Sequence, residues 1–343
     1  MTRIFSGIKP TGHLTLGNYL GALRRWVDVD QRRADALFSV VDLHALTVEH
    51  DPARVRRLSR QAATLMLAAG LDPALCTVFV QSHVDEHTRL SYLLECTATD
   101  GELRRMIQYK EKSARARAAG ESLRFSLLSY PVLMAADILA YGTDEVPVGE
   151  DQTQHVELTR DLAVRFNQRY GHTFAVPRAT RPAVAARVMD LQDPTSKMGK
   201  SHEPGAGIVY LLDDADVVRK KIMRAVTDSG REVEYDRETK PGIANLLEIL
   251  AACTGPSGQV GPDGLDPREL AGGYDSYGAL KKDTAEAVIE TLRPLRERHA
   301  VLASDIGAVD QVLRDGAERA RGLARPVVDA AYRAVGLLPA AAG

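Results

Sequence analysis

Residues 3–8 read Arg3-Ile4-Phe5-Ser6-Gly7-Ile8 and run straight into Lys9-Pro10-Thr11-Gly12-His13, then Thr15-Leu16-Gly17-Asn18. The first six carry β-branched and aromatic residues bounded by turn formers, which predicts a strand, and Gly17 to Arg33 has the pattern of a helix. A strand that hands over to a helix through glycines brings backbone amides to a ligand, because glycine permits close approach and a helix amino terminus favours negative charge. Gly7, Gly12, Gly17 and Gly21 lack the spacing of a dinucleotide fingerprint. Taken alone, the segment reads equally as a plain strand-to-helix turn.

Working outward, Ala36 to Val41 and Thr77 to Gln81 read as further strands. Between them Asp51 suits an N-cap, Pro52 the first helical turn, and Gly70 a helix stop. Strand, helix, strand, helix, strand predicts an α/β fold with a Rossmann-type, doubly wound parallel sheet. Such sheets bind ligands at the carboxyl ends of their strands, so functional residues are expected in the loops after Ile8, Val41 and Gln81. Further on, Leu127 to Tyr141 reads as an apolar helix interrupted by Pro131. Val146-Pro147-Val148 reads as a short strand, and Gln152 to Tyr170 as a helix ended by Gly171. Strand signals stop near Asp213, and helical patterns follow, broken by a Gly/Pro-rich loop from Gly255 to Gly273. That predicts a separate helical domain in the third quarter, with a frayed tail beyond Leu338.

Composition bounds the rest. A chain of 343 residues with 45% hydrophobic and 26% charged residues is neither disordered nor a small stapled scaffold, and its length suggests about two domains. A net charge of −2 gives no overall field for a polyanion, so any nucleic acid must be held by local patches. One such patch is Gly101 to Phe125, where Arg104, Arg105, Lys110, Lys112, Arg115, Arg117 and Arg124 face Glu102, Glu111 and Glu121. It reads equally as a solvated helical face or a phosphate-contacting surface. Cys76, Cys96 and Cys253 are far apart and odd in number, which argues against disulfides and thiolate metal sites. No apolar run approaches a membrane span and no secretory signal opens the chain, so a cytoplasmic location is expected.

Three further constellations carry chemistry. Gly199-Lys200-Ser201 invites a P-loop reading, but the glycine required five residues earlier is Pro194. What remains is a lysine-bearing loop, Lys197-Met198-Gly199-Lys200-Ser201. Asp137 sits among Ala135, Ala136, Ile138 and Leu139, on one helical face with Met134. A buried carboxylate there either binds locally or awaits a donor on a ligand. His83 and His87 share a helical spacing, but without a third ligand nearby they read as ordinary histidines, and no resident metal is expected.

Together these segments resemble the class I aminoacyl-tRNA synthetases, and within them the bacterial tryptophanyl-tRNA synthetases. Gly7-Ile8-Lys9-Pro10-Thr11-Gly12 with Thr15-Leu16-Gly17-Asn18 is similar to that family's HIGH signature, and Lys197 to Ser201 to its KMSKS loop. Met134 to Leu139 and Val146-Pro147-Val148-Gly149-Glu150-Asp151-Gln152 resemble its amino-acid and ribose sites. The likeness runs along almost the whole chain. Lys9 departs from the glutamine of many relatives, Leu43 from a glutamine beside His44, and Gly199 from the central serine of the loop.

The resemblance implies tryptophan activation by ATP with Mg²⁺, transfer to tRNA(Trp), and a homodimer without membrane attachment. It implies a catalytic domain in two parts, residues 1–100 and 188–212, and a connecting insertion over 101–187 that forms the dimer interface. An anticodon-binding helical domain over 213–305 and a C-terminal helix and tail over 306–343 complete it. ATP is expected at Lys9, Pro10, Thr11, Gly17, Asn18, Gly149, Glu150, Asp151, Val188, Lys197, Met198, Gly199, Lys200 and Ser201. L-tryptophan is expected among Phe5, His44, Tyr130, Met134, Asp137, Val146, Val148 and Gln152, and catalysis at Thr15, Lys112, Lys197 and Lys200. The competing readings are a tyrosyl-tRNA synthetase, a small-molecule nucleotidyltransferase and a noncatalytic paralogue.

Overall fold

The computed structural model describes residues 2–118, 120, 122–149, 152–180, 187–199, 205–255 and 265–338. The chain begins with β1 (Arg3–Ile8) and enters a helical run over 16–33. That run is α-helical at α1 (Leu16–Asn18) and α2 (Gln31–Arg33) and wound more widely, as π-helix, at Tyr19–Leu23 and Trp26–Asp30, where a regular helix was expected. Then come β2 (Asp35–Val40), a 3-10 turn at Leu43–Thr47, α3 (Pro52–Ala69), β3 (Thr77–Val80) and a second 3-10 turn at Gln81–His83. Asp51 caps α3 by accepting from the amides of Ala53 and Arg54, and the helix ends at Gly70, as their residue types predict.

The middle of the chain is α4 (Glu86–Glu95), α5 (Asp100–Arg105), α6 (Ile107–Ala118), α7 (Phe125–Leu139), β4 (Glu145–Pro147), α8 (Thr153–Tyr170) and β5 (Arg178–Thr180). The remainder is helical: α9 (Ala215–Met223), α10 (Pro241–Thr254), α11 (Pro267–Ala271), α12 (Tyr277–Ser304) and α13 (Ile306–Ala334). The five strands form one parallel sheet in the order β3-β2-β1-β4-β5, with Arg3 opposite Asp35 and Ile8 opposite Val40. This is a doubly wound Rossmann-type sheet whose order reverses beside β1.

Two strands, β4 and β5, fall inside the interval expected to be the connecting insertion. β5 is three residues long, too short for a periodic signal, and exists by pairing Ala179 with Val146. Among the described residues, 188–212, expected to return to the sheet, touch the first part instead through an isolated bridge between Tyr210 and Thr15, while Lys197 pairs with Met189 within the segment itself.

Side chains alternate across the sheet and fill a separate apolar cluster on each face. Ile4, Phe38 and Val78 pack with α3 and, without a break, with Ile243, Leu246 and Leu292 of the helical region. Phe5, Leu37 and Phe79 face α4, α7 and α8. α13 joins both. Its Val309 and Leu313 belong to the first cluster, and its Ala317, Ala320 and Ala324 to the second. It can cross the edge of β3 because Gly316 meets the strand backbone: a Cβ there would stand 1.9 Å from the Val78 carbonyl oxygen. The otherwise open edge is thereby covered.

Candidate active site

A cavity of about 400 Å³ opens at the carboxyl ends of β1 and β4, where the strand order reverses. Its walls include all eight residues expected to bind tryptophan: Phe5, His44, Tyr130, Met134, Asp137, Val146, Val148 and Gln152. Lys9, Asn18, Lys112 and Gly149 line it too. Residues from β1, the turn after β2, α6, α7, β4 and the start of α8 thus converge on one space.

Asp137 is buried at its apolar end, 1% exposed. Its Oδ2 accepts from His44 Nε2 at 2.9 Å, and its Oδ1 accepts from Gln81 Nε2 at 2.7 Å and His87 Nδ1 at 2.6 Å. Burial alone would push this carboxyl up, but the neighbouring histidines and their hydrogen bonds outweigh it and hold the pKa down at about 2. The group is therefore an ionised acceptor. The choice left open by its sequence, local binding or a ligand's donor, resolves toward a local network whose last acceptor position is on Oδ2.

Also on the cavity wall, Lys9 Nζ donates to Thr47 Oγ1 at 3.1 Å, and Thr47 Oγ1 donates to the His44 carbonyl at 2.8 Å. Burial, helped by the positive charge of Lys112, lowers the Lys9 ammonium to about 8. Lys112 also lies over the Tyr130 ring, 5.7 Å from its centroid. Tyr130 in turn donates to Gln108 Oε1 at 3.0 Å and shares a 2.8 Å hydrogen bond with His155 Nε2. Of the basic run from Gly101 to Phe125, Lys112 lines the cavity, while Arg104 pairs with Asp100.

Other expected residues flank the cavity. Thr15 is fully buried and caps α1, accepting from the Asn18 amide while Asn18 Oδ1 accepts from the Thr15 amide. Pro10 and Thr11 lie between β1 and α1, with the Thr11 amide bonded to the Lys9 carbonyl. Val188 and Met198 are joined by a backbone hydrogen bond of 3.0 Å, and both press on Gly17, where a Cβ would lie 3.4 Å from the Met198 carbonyl oxygen. The lysine loop is thus held against the start of α1, with Lys197 exposed and Gly199 half-buried. Glu150, Asp151, Lys200 and Ser201 lie outside the described residues.

The sequence reading missed Gln81, His87, Thr47, Gln108 and Tyr141. The loop after Gln81 was expected to be functional, and the signal was there: polar residues at the end of a strand. The i, i+4 spacing of His83 and His87 directed attention to a shared face, whereas His83 is exposed and His87 turns inward. Among the described residues, no group of three His, Cys, Asp or Glu is placed to hold a metal.

The chain matches the family model for class I tRNA synthetases (W and Y) over residues 1–293. It is 79% identical over 339 residues to tryptophan–tRNA ligase 1 of Streptomyces coelicolor, covering 99% of this chain and 98% of that one. The solved tryptophanyl-tRNA synthetase of Mycoplasma pneumoniae superposes with a TM-score of 0.88 at 36% identity, covering 98% of each chain. That of Campylobacter jejuni, complexed with ADP and tryptophan, gives 0.81 at 32% identity, covering 98% of this chain and 100% of that one. Sheet order, cavity and sequence agree along nearly the whole length, and the protein belongs to the class I tRNA synthetases, in the bacterial tryptophanyl branch.

Proposed function

We infer that the chain is a tryptophan–tRNA ligase, which activates L-tryptophan with ATP and transfers it to tRNA(Trp). The observation that carries the substrate is Asp137, an ionised, acceptor-only group in an apolar cavity. Indole offers one N–H donor and no acceptor, so it matches a carboxylate with one free position. The names of the relatives, and the ADP and tryptophan in the Campylobacter complex, support the same substrates.

In the first step the tryptophan carboxylate attacks the α-phosphorus of ATP. A new P–O bond forms, the bond to the β-phosphate oxygen breaks, and pyrophosphate leaves. The nucleophile is already ionised, so no general base is needed, and catalysis is stabilisation of charge on the phosphates. Mg²⁺, if bound by the phosphates, would add positive charge there. Lys9 and Lys112 supply positive charge at the cavity, and Lys197 supplies it from the loop against α1, with Lys200 three residues on in sequence. Asn18, Gly149 and the helix start at Gln152 are suited to ribose and phosphate oxygens, with Glu150 and Asp151 beside them in sequence. In the second step a hydroxyl of the terminal tRNA ribose attacks the tryptophanyl carbonyl and AMP leaves.

A homodimer fits the surface of the central segment, where Tyr92 is 66%, Ile107 58% and Phe125 72% exposed. No helix among the described residues is long and apolar enough to cross a membrane. The activity places the protein in the cytoplasm, where tRNA is charged. Incubation with ATP, Mg²⁺, labelled tryptophan and bulk bacterial tRNA tests the reading: label should enter an alkali-labile ester on tRNA. Absence of that ester, or equal labelling by tyrosine, would overturn it.

A further inference from the structure

Asp137 touches three protein donors, and their arrangement leaves an asymmetric carboxylate. An ionised carboxylate has about four lone-pair positions. Oδ1 is filled by Gln81 Nε2 and His87 Nδ1, whereas Oδ2 holds only His44 Nε2. Because Asp137 only accepts, each histidine nitrogen facing it carries a proton. With Nδ1–H turned to Asp137, Nε2 is left to Tyr141 Oη, which lies 2.8 Å from it with an O–H to donate. Which imidazole nitrogen is protonated is set by the bond the other one makes. Tyr141 therefore selects the Nδ1–H form that Asp137 needs.

The ring cannot turn away. His87 is fully buried, lies stacked on Phe79 at 6.0 Å and meets the edge of Tyr141 at 5.5 Å between centroids. Tyr141 is itself fully buried, and its phenol is raised well above its ordinary pKa by burial and by the charges of Asp137 and Glu86, so it remains a donor. Resting on the reading that Asp137 receives the indole N–H, we propose that His87, oriented by Tyr141, is a positioning residue for amino-acid selection. It occupies Oδ1 and leaves a single acceptor position, on Oδ2 of a residue that lines the cavity.

The consequence is chemical. His44, Gln81 and His87 each direct an N–H at the carboxylate, so a ligand group that both donates and accepts, such as the phenol of tyrosine, finds an acceptor there but none of those three N–H groups for its own oxygen. A donor-only indole leaves nothing unpaired. Loss of the His87 N–H frees Oδ1, lets the carboxylate rotate and weakens this discrimination.

The test compares kcat/KM in pyrophosphate exchange for tryptophan, tyrosine and the isostere with sulfur in place of the indole N–H. Tyr141→Phe preserves the ring and His87→Leu removes the bond. In both, the preference for tryptophan over tyrosine and over the sulfur isostere should fall about 10-fold or more, through the tryptophan KM, while the ATP KM stays unchanged. His87→Gln, which can donate to Asp137 and accept from Tyr141, should restore most of the preference. Folded variants, judged by their ATP KM, that keep the parental ratios would overturn the proposal, as would equal loss for all substrates. If Asp137→Asn also keeps the parental ratios, the assignment of Asp137 to the indole falls. If only that variant loses them, the assignment stands and the positioning role falls.

Discussion

Asp137 and Lys9 line one cavity and illustrate how burial acts on charge. Asp137 is stabilised as an anion by three donors, so Asp137→Asn should weaken tryptophan recognition by about 1.5–3 kcal/mol, the usual worth of a hydrogen bond to a charged group. That is a loss of roughly 10- to 150-fold in kcat/KM for tryptophan, read by pyrophosphate exchange. An unchanged value would remove Asp137 from the indole site. Lys9 has the reverse balance, since burial and Lys112 disfavour its charge and bring it to about 8. The protonated form attracts the substrate carboxylate and phosphates, so kcat/KM should decline as pH rises through about 8 in the parent and stay flat across it in Lys9→Gln. The stability effect runs the other way. Between about 8 and the ordinary 10.5 the unfolded chain binds more protons, so this group's contribution to stability rises with pH. Lys9→Gln should accordingly raise Tm at pH 7, and a fall in Tm would contradict the cost assigned to its burial. Both residues were visible in the sequence as charges in the wrong company: an acid among alanines and a lysine straight after a strand. Gln81 and His87 were not, because they meet Asp137 across 56 and 50 residues and no local pattern records such a contact.

The elements read best where a local rule governs them. β1, β2, β3 and α3 follow from residue types, caps and periodicity, and they fall where expected within a residue or so. β5 and the π-wound turns of 16–33 were hidden because tertiary pairing and packing define them. Trp26, stacked on Phe38 at 4.8 Å, lies on one of those turns. The lysine loop is intermediate: its composition marked it, but its seat against Gly17 is a matter of packing. Lys197 is exposed and is not part of the cavity wall. We propose that its charge reaches the phosphates as the loop closes, in the transition state rather than in the bound ground state. Lys197→Ala should lower kcat for tryptophan activation about 10- to 100-fold with little change in the ATP KM. A variant impaired in ATP KM alone would place this lysine in ground-state binding.

For the whole molecule, a net charge of −2 leaves tRNA to local patches, and the continuous apolar cluster from the sheet into α10 and α12 ties the helical region to the catalytic one. That docking was not legible in sequence, since helical periodicity tells which face is apolar and not what covers it. The exposed Ile107 and Phe125 bear on assembly. Replacing both by Asp should convert a dimer to a monomer in sedimentation velocity, and an unchanged sedimentation coefficient would locate the interface elsewhere. Tryptophan activation is the activity on which the whole molecule converges. Its most direct measurement is exchange of labelled pyrophosphate into ATP with each of the twenty amino acids in turn, without tRNA. The predicted result is exchange with tryptophan and, for every other amino acid, a rate lower by about 100-fold or more. Comparable exchange with tyrosine, or none with tryptophan, would contradict it.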